Sequence, residues 1–201
     1  MTQIAIIDYG LGNLRSVMRG LEKAGARTVI TSSADEIAAA DALVLPGVGA
    51  FHEGMDQLGP LKPAVLGATR DVPLLGICLG MQMLMETSEE HGIHQGLGLI
   101  PGSVKKFPRK TGFKVPHMGW NSLVPEIPDN PLLSGIRAGE HMYFVHSFYA
   151  DTTPEYTLTT TEYICPFASA VFSGNVYGVQ FHPEKSGAPG LRMLKNFIGM
   201  V

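Results

Sequence analysis

The sequence is poor in charge. Lys, Arg, Asp and Glu make up 16% of its 201 residues, where about a quarter is usual for a globular domain. The 15 basic and 18 acidic side chains leave a net charge of −3. There is no basic stripe beyond Lys105-Lys106 and Arg109-Lys110, which argues against a nucleic-acid partner. Long apolar runs are missing too. None approaches the roughly 18 to 20 residues that would span a bilayer. Met1-Thr2-Gln3-Ile4 carries neither a basic stretch nor a signal-like apolar core. Two cysteines could form only one disulfide, and a chain of this length buries roughly 70% of its unfolded surface without one. These absences describe a soluble, cytoplasmic protein with reduced thiols and no membrane association. In it each cysteine is either a small core residue or a reactive group. The scarcity of charge still needs an account: an apolar-rich fold, or a face kept against a partner.

What is present is an alternation of short apolar runs and amphipathic segments. Ile4-Ala5-Ile6-Ile7 reads as a buried strand ended by Asp8-Tyr9-Gly10. Leu14, Val17, Met18 and Leu21 recur at i, i+3, i+4 and i+7, one face of a helix that stops near Gly25. Thr28-Val29-Ile30 and Ala42-Leu43-Val44-Leu45 read as further strands, the second ended by Pro46-Gly47. A helix is expected around residues 58–69, interrupted by Pro60 and Pro63, then a fourth strand over 72–77 and a helix over 79–87. This β-α-β order implies a parallel sheet with helices on both faces. From about Leu97 the composition shifts toward Thr, Tyr, Phe, Val, Pro and Gly. Met142, Phe144, His146 and Phe148 alternate with Tyr143, Val145, Ser147 and Tyr149, the period of a strand. Gly174-Asn175 separates two strand-like runs as a hairpin turn. A last helix is expected over 189–200 with Leu191, Leu194 and Ile198 on one face. The expectation is one α/β domain over residues 1–201: a doubly wound, mainly parallel sheet with an antiparallel extension in the second half.

Three segments carry chemistry. In Gly76-Ile77-Cys78-Leu79-Gly80, a cysteine stands at a strand-to-helix junction with glycines two before and two after it. This is the pattern of a nucleophile elbow, which lifts a strained side chain above the sheet at a helix N-terminus. There thiolate is favoured and backbone N–H groups can meet an oxyanion. The same pattern also suits a buried core cysteine between two packing glycines. In Gln180-Phe181-His182-Pro183-Glu184, His182 should sit where its strand leaves the sheet, held extended by Pro183. Glu184 could orient its imidazole, which would complete a Cys-His-Glu relay; a solvated His-Pro turn is the plainer alternative. Pro46-Gly47-Val48-Gly49 closes the third strand, where ligands bind in a doubly wound sheet. Each feature is ambiguous singly, yet all three fall at strand C-termini.

Other candidates weaken. Gly10-Leu11-Gly12-Asn13-Leu14-Arg15 begins like a dinucleotide fingerprint but has Arg15 at the third glycine position. His91 and His94 have ligand-like spacing but no cysteine nearby, so a solvated loop is favoured over zinc. Cys165 beside Pro166 reads as structural. Pro116-His117-Met118-Gly119-Trp120-Asn121 is expected in a loop, where its apolar content suits a contact surface.

Together, Pro46-Gly47-Val48-Gly49, Gly76-Ile77-Cys78-Leu79-Gly80-Met81-Gln82 and His182-Pro183-Glu184 resemble the class I, triad-type glutamine amidotransferases. The segments Asp8-Tyr9-Gly10-Leu11-Gly12-Asn13, Pro116 to Asn121 and Tyr143 to Tyr149 are similar to the glutaminase subunits of imidazole glycerol phosphate synthases. The resemblance runs end to end and implies that family's fold. It implies that Cys78 attacks the glutamine amide, that His182 shuttles the proton and that Glu184 holds the imidazole. Leu79 and the Gly47, Val48, Gly49 segment would form the oxyanion hole, while Gln82, His146, Ser147 and Phe148 would position glutamine. It further implies no metal or organic cofactor, and a heterodimer with a (β/α)₈-barrel synthase/cyclase subunit. That subunit would use the ammonia to make imidazole glycerol phosphate and aminoimidazole carboxamide ribonucleotide in histidine biosynthesis. Asn13, His117, Met118, Trp120, Asn121 and Tyr143 would be interface and coupling residues. Ser147 stands where some relatives carry threonine, which keeps the hydroxyl. The competing readings are a triad glutaminase feeding another synthase, such as that for pyridoxal phosphate, and a non-catalytic cysteine sensor on the same fold. On the glutaminase reading the sheet edge around Cys78 should be the least charged surface.

Overall fold

In the computed structural model, which describes residues 3–201, the apolar runs of the first half become neighbouring parallel strands. Met1 and Thr2, cited above for the N-terminal sequence, lie outside the described residues. The first half comprises β1 (Gln3–Ile7), α1 (Leu14–Ala24), β2 (Arg27–Thr31), α2 (Ala34–Ala38), β3 (Ala42–Leu45), α3 (Phe51–Leu58), α4 (Lys62–Ala68), β4 (Leu74–Ile77) and α5 (Leu79–Leu84). Strand alternation divides the core between two faces. Ile4, Ile6 and Val44 pack with Val17 and Leu21 of α1, while Ala5, Ile7 and Leu45 pack with Ile37, Phe51, Val65 and Met81 of α2 to α5. Helix α1 ends where Gly25 adopts φ of +106°, a left-handed cap that glycine adopts without steric cost.

The second half is mostly antiparallel. It contains β5 (Met85–Ser88), β6 (His94–Gln95), β7 (Ile100–Lys106), β8 (His117–Ser122), β9 (Val124–Pro125), β10 (His141–His146), β11 (Phe148–Asp151), β12 (Thr157–Glu162), β13 (Pro166–Ser173), β14 (Val176–Val179) and α6 (Gly187–Ile198). The main sheet runs β2-β1-β3-β4-β14-β13-β11-β7-β5-β6, with β12 and β9 branching from β13. Strand β14 joins the halves: it pairs parallel with β4 and antiparallel with β13. Its hairpin to β13 turns at Gly174-Asn175, with φ of +58° at Gly174. Strands β8 and β10 form a separate antiparallel ribbon. Among the described residues no helix is long and apolar enough to cross a membrane.

Four local expectations change. The helix expected over 79–87 stops at Leu84 because the carbonyls of Met83 and Leu84 accept from Leu97 and Leu99 at 2.8 and 2.9 Å, and 85–88 becomes a sheet strand. The helix around 58–69 is two helices joined by a 3₁₀ turn, the first starting at Phe51. Pro60 and Pro63 fall in the first residues of the later segments, where the missing N–H costs nothing. The loop expected at 117–121 is strand β8, paired residue for residue with β10. Helix α6 buries Met193, Leu194 and Phe197 rather than Leu191 and Ile198.

Candidate active site

Cys78 follows β4 directly and has φ of +56° and ψ of −108°, a conformation that costs a non-glycine residue about 1–3 kcal/mol. Its N–H donates to the Val179 carbonyl at 2.8 Å, which ties the end of β4 to the end of β14. The flanking glycines are required by contact. A Cβ on Gly76 would lie 2.8 Å from the Gly80 carbonyl, and one on Gly80 would overlap the Leu45 carbonyl oxygen. The turn therefore closes only without side chains at both positions.

The register that pairs Val179 with Ile77 delivers the residues after β14 to the same sheet edge. His182 donates its backbone N–H to Tyr143 at 2.9 Å. A 3₁₀ turn over Pro183–Lys185 brings Glu184 back, and Nδ1 of His182 meets its Oε1 at 2.9 Å. Both side chains are buried. Burial depresses the His182 pKa, but the neighbouring Cys78 sulfur and the Glu184 carboxylate outweigh it and push the value up to about 9. Nε2 of His182 is buried without a hydrogen-bond partner, while the Cys78 thiol donates to the Val145 carbonyl at 3.9 Å. The ring is thus fixed on its carboxylate side and free on the other.

Segment 46–49 lies alongside. The Tyr9 hydroxyl donates to the Pro46 carbonyl at 2.7 Å; burial first, and then the nearby Cys78, raise the Tyr9 pKa. Val48 is 42% exposed and Gly49 has φ of +110°. The Leu79 N–H, expected to be free for an oxyanion, donates instead to the Gly47 carbonyl at 3.3 Å. The donor is present but engaged, because the Gly47–Val48 peptide turns its oxygen toward it.

Cys78 opens into a pocket of about 310 Å³ lined by Val48, Gly49, Leu79, Gln82, Glu90, Pro116, Val145, His146, Ser147 and Phe148. Gln82 donates through Nε2 to the Phe148 carbonyl and to Gln180 Oε1, both at 3.1 Å. Glu90 accepts from the Phe51 N–H at 2.6 Å and brings a carboxylate to the pocket wall. Sequence reasoning missed Glu90, which sits in no motif, and Gln180. It also missed Tyr9 as an individual residue, although Asp8-Tyr9-Gly10 marked its strand end.

The expected contact cluster is divided by strand alternation. Met118 is 63% exposed and Trp120 56% exposed, whereas His117 is buried at 3%. His117 Nδ1 meets His146 Nε2 at 2.9 Å, and Asn121 Nδ2 meets His117 Nε2 at 3.2 Å, so His117 and Asn121 face inward, with the His117 ring stacked on Phe144 and Tyr163. Burial lowers the pKa of His117 to about 4 and that of His146 to about 3. Tyr143 is half-buried against Trp120, ring centroids 5.9 Å apart. Asn13 is exposed at the start of α1.

A family model described as class-I glutamine amidotransferase matches residues 5–200. The chain is 53% identical to a Methanosarcina acetivorans protein named imidazole glycerol phosphate synthase subunit HisH, over all of both chains. It is 46% identical to the Archaeoglobus fulgidus protein of that name, over 98% of each. Among solved structures, PurLQS from Thermotoga maritima matches with a TM-score of 0.75 at 17% identity, over 99% of this chain and 98% of that one. The glutaminase domain of a Trypanosoma brucei CTPS, with bound acivicin, matches at 0.71 and 16% identity, over 100% and 92%. These two share the fold.

Proposed function

Because the chain belongs to the class-I glutamine amidotransferase family, we propose that it hydrolyses glutamine and passes the ammonia to the synthase subunit of an imidazole glycerol phosphate synthase. The observation that carries this reading is that His182, bonded to Glu184 on one side and neighbouring the Cys78 sulfur on the other, stands with Cys78 at one sheet edge where a pocket of about 310 Å³ opens. Relatives identical over about half of their full-length alignments bear that synthase's name.

The Cys78 proton passes to Nε2 of His182, and the thiolate attacks the side-chain carbonyl carbon of glutamine. The imidazolium so formed is stabilised by the Cys78 sulfur and the Glu184 carboxylate, which push its pKa up to about 9, and it then gives that proton to the departing nitrogen. Ammonia leaves and a thioester remains. Water, deprotonated by His182, hydrolyses the thioester and releases glutamate and the Cys78 thiol. Glu184 keeps the proton on Nδ1 and thereby keeps Nε2 facing the reaction. Glu90 suits the α-ammonium of glutamine, while Gln82 and the 146–148 backbone hold its other end.

The oxyanion hole requires the Leu79 N–H, now bound to the Gly47 carbonyl at 3.3 Å. A turn of the Gly47–Val48 peptide frees it and can present the Val48 N–H beside it. Tyr9 holds the Pro46 carbonyl as the fixed end of that movement. Val48 is exposed on the pocket lining, and Met118 and Trp120, with Tyr143 against Trp120, are exposed on the β8–β10 ribbon whose Val145 and His146 line that pocket. They suit the apolar centre of an interface with a (β/α)₈-barrel partner, with Asn13 on its margin. The barrel turns the ammonia and a ribonucleotide into imidazole glycerol phosphate and aminoimidazole carboxamide ribonucleotide, in histidine biosynthesis.

The test is glutamate production by the chain alone, with the synthase partner, and with that partner plus its ribonucleotide. A stepwise rise is expected. High activity of the chain alone overturns the gating by the Gly47–Val48 peptide. Cys78→Ala should abolish glutamate production while leaving the complex intact; retained turnover overturns the nucleophile.

A further inference from the structure

Gln180 is fully buried, and the mechanism above leaves it without a task. Its Nε2 lies 3.7 Å from Cys78 Sγ. A chain of hydrogen bonds that starts from a backbone carbonyl fixes which end of the amide faces the sulfur. The Phe148 oxygen can only accept, so Gln82, 3.1 Å away, must present its NH₂ there. The same nitrogen donates at 3.1 Å to Gln180 Oε1, which leaves the Gln180 NH₂ on the sulfur.

A second branch ends on the same Phe148 carbonyl. His146 Nδ1 reaches the same Phe148 oxygen at 2.7 Å and must carry a proton there. Its Nε2 therefore accepts from His117 Nδ1 at 2.9 Å, and His117 Nε2 accepts from Asn121 Nδ2 at 3.2 Å. The Asn121 amide is anchored independently, by the Glu162 carbonyl at 2.9 Å and the Ser122 N–H at 2.8 Å. Every donor meets an acceptor, and a proton added to either imidazole would set donor against donor. A reversed Gln180 would put its oxygen against the thiolate and its NH₂ against that of Gln82.

From this geometry we propose that Gln180 is a permanent hydrogen-bond donor to the Cys78 thiolate, with Gln82 as the positioning residue that keeps its amide pointed. The proposal rests on Cys78 being the nucleophile. The Val145 carbonyl at 3.9 Å favours the protonated thiol, so an opposing donor is needed. The titratable groups around the sulfur are His182 backed by Glu184, Tyr9, and, on the pocket wall, His146 and Glu90. His182 must surrender its proton during the cycle; the Gln180 amide keeps its own throughout. It can therefore stabilise the thiolate both when it attacks and when hydrolysis expels it from the thioester.

The test is the rate of iodoacetamide alkylation of the chain against pH, without glutamine. In Gln180→Leu the midpoint should rise by about one pH unit, the size of one hydrogen bond to a charged group, and kcat should fall about tenfold in proportion, with KM within about twofold. An unshifted midpoint in a folded variant overturns the proposal. A measurement on the unaltered chain stands beside it: the Gln180 side-chain amide resonances should follow the Cys78 titration and lose that response in Cys78→Ala. Resonances blind to that titration overturn it equally. A shifted midpoint in a chain that makes no glutamate with its partner would sink the glutaminase reading and leave this one standing.

Discussion

Gly80 and Cys78 hold the two backbone positions on which the elbow depends. Gly80→Ala would push a methyl into the Leu45 carbonyl, and overpacking of this kind costs about 1–3 kcal/mol. Urea denaturation should show that loss, and alkylation of Cys78 should slow as the turn deforms; an unaltered midpoint would mean that the loop relaxes freely. Glu184 acts through one oxygen, 2.9 Å from Nδ1 of His182. In Glu184→Gln the His182 titration, read by NMR, should fall from about 9 toward the ordinary histidine range. Glutamate production should drop about a hundredfold or more, as for a lost acid–base partner. These residue-scale features were the most legible in the sequence, because glycine spacing and a His-Pro-Glu turn are local.

The ribbon of β8 and β10 shows what an element adds. Its six-residue pairing converts a sequence that reads as a loop into alternating inward and outward positions. Met118 and Trp120 turn out, while His117 turns into the core. Trp120→Ala should therefore leave the chain's own stability within about 0.5 kcal/mol while weakening the proposed complex about tenfold or more. Equal losses in both measurements would mean that Trp120 serves the fold instead. Elements also explain the missed boundaries. Phe51, Met55 and Leu58 carry a helical spacing that Gly54 and the polar residues between them mask. The break after Leu84 had no local signal, since its cause is the docking of 97–99 on the carbonyls of Met83 and Leu84.

At the scale of the whole molecule, two buried neutral imidazoles make stability depend on acid. His117 at about 4 and His146 at about 3 lie below the unfolded histidine value near 6.5. Between these limits the unfolded chain binds protons that the folded chain refuses. Stability from this source is therefore complete above about pH 6.5 and is lost as pH falls toward 4. Urea denaturation across that window should show a slope approaching two protons per molecule; a flat profile would mean that the pair opens to water. The scarcity of charge also finds its place at this scale. Val48 is exposed on a pocket whose described lining residues contribute one carboxylate, Glu90, and Met118 and Trp120 are exposed on the ribbon that carries Val145 and His146 to that lining. The 16% of charged residues fits a chain that keeps this edge for a partner.

The sequence by itself determined what depends on neighbours in the chain: the four strands of the first half with helices on both faces, the glycine-flanked Cys78, the placing of Glu184 two residues after His182, and the family. Only the tertiary structure decided what depends on sheet order and register. Strand β14 beside β4 carries His182 to Cys78, and Gly47 occupies the Leu79 N–H. His117 faces inward, and Gln180 reaches the sulfur. Hydrogen bonds between distant strands select one partner among many, and no local pattern of residues encodes that choice.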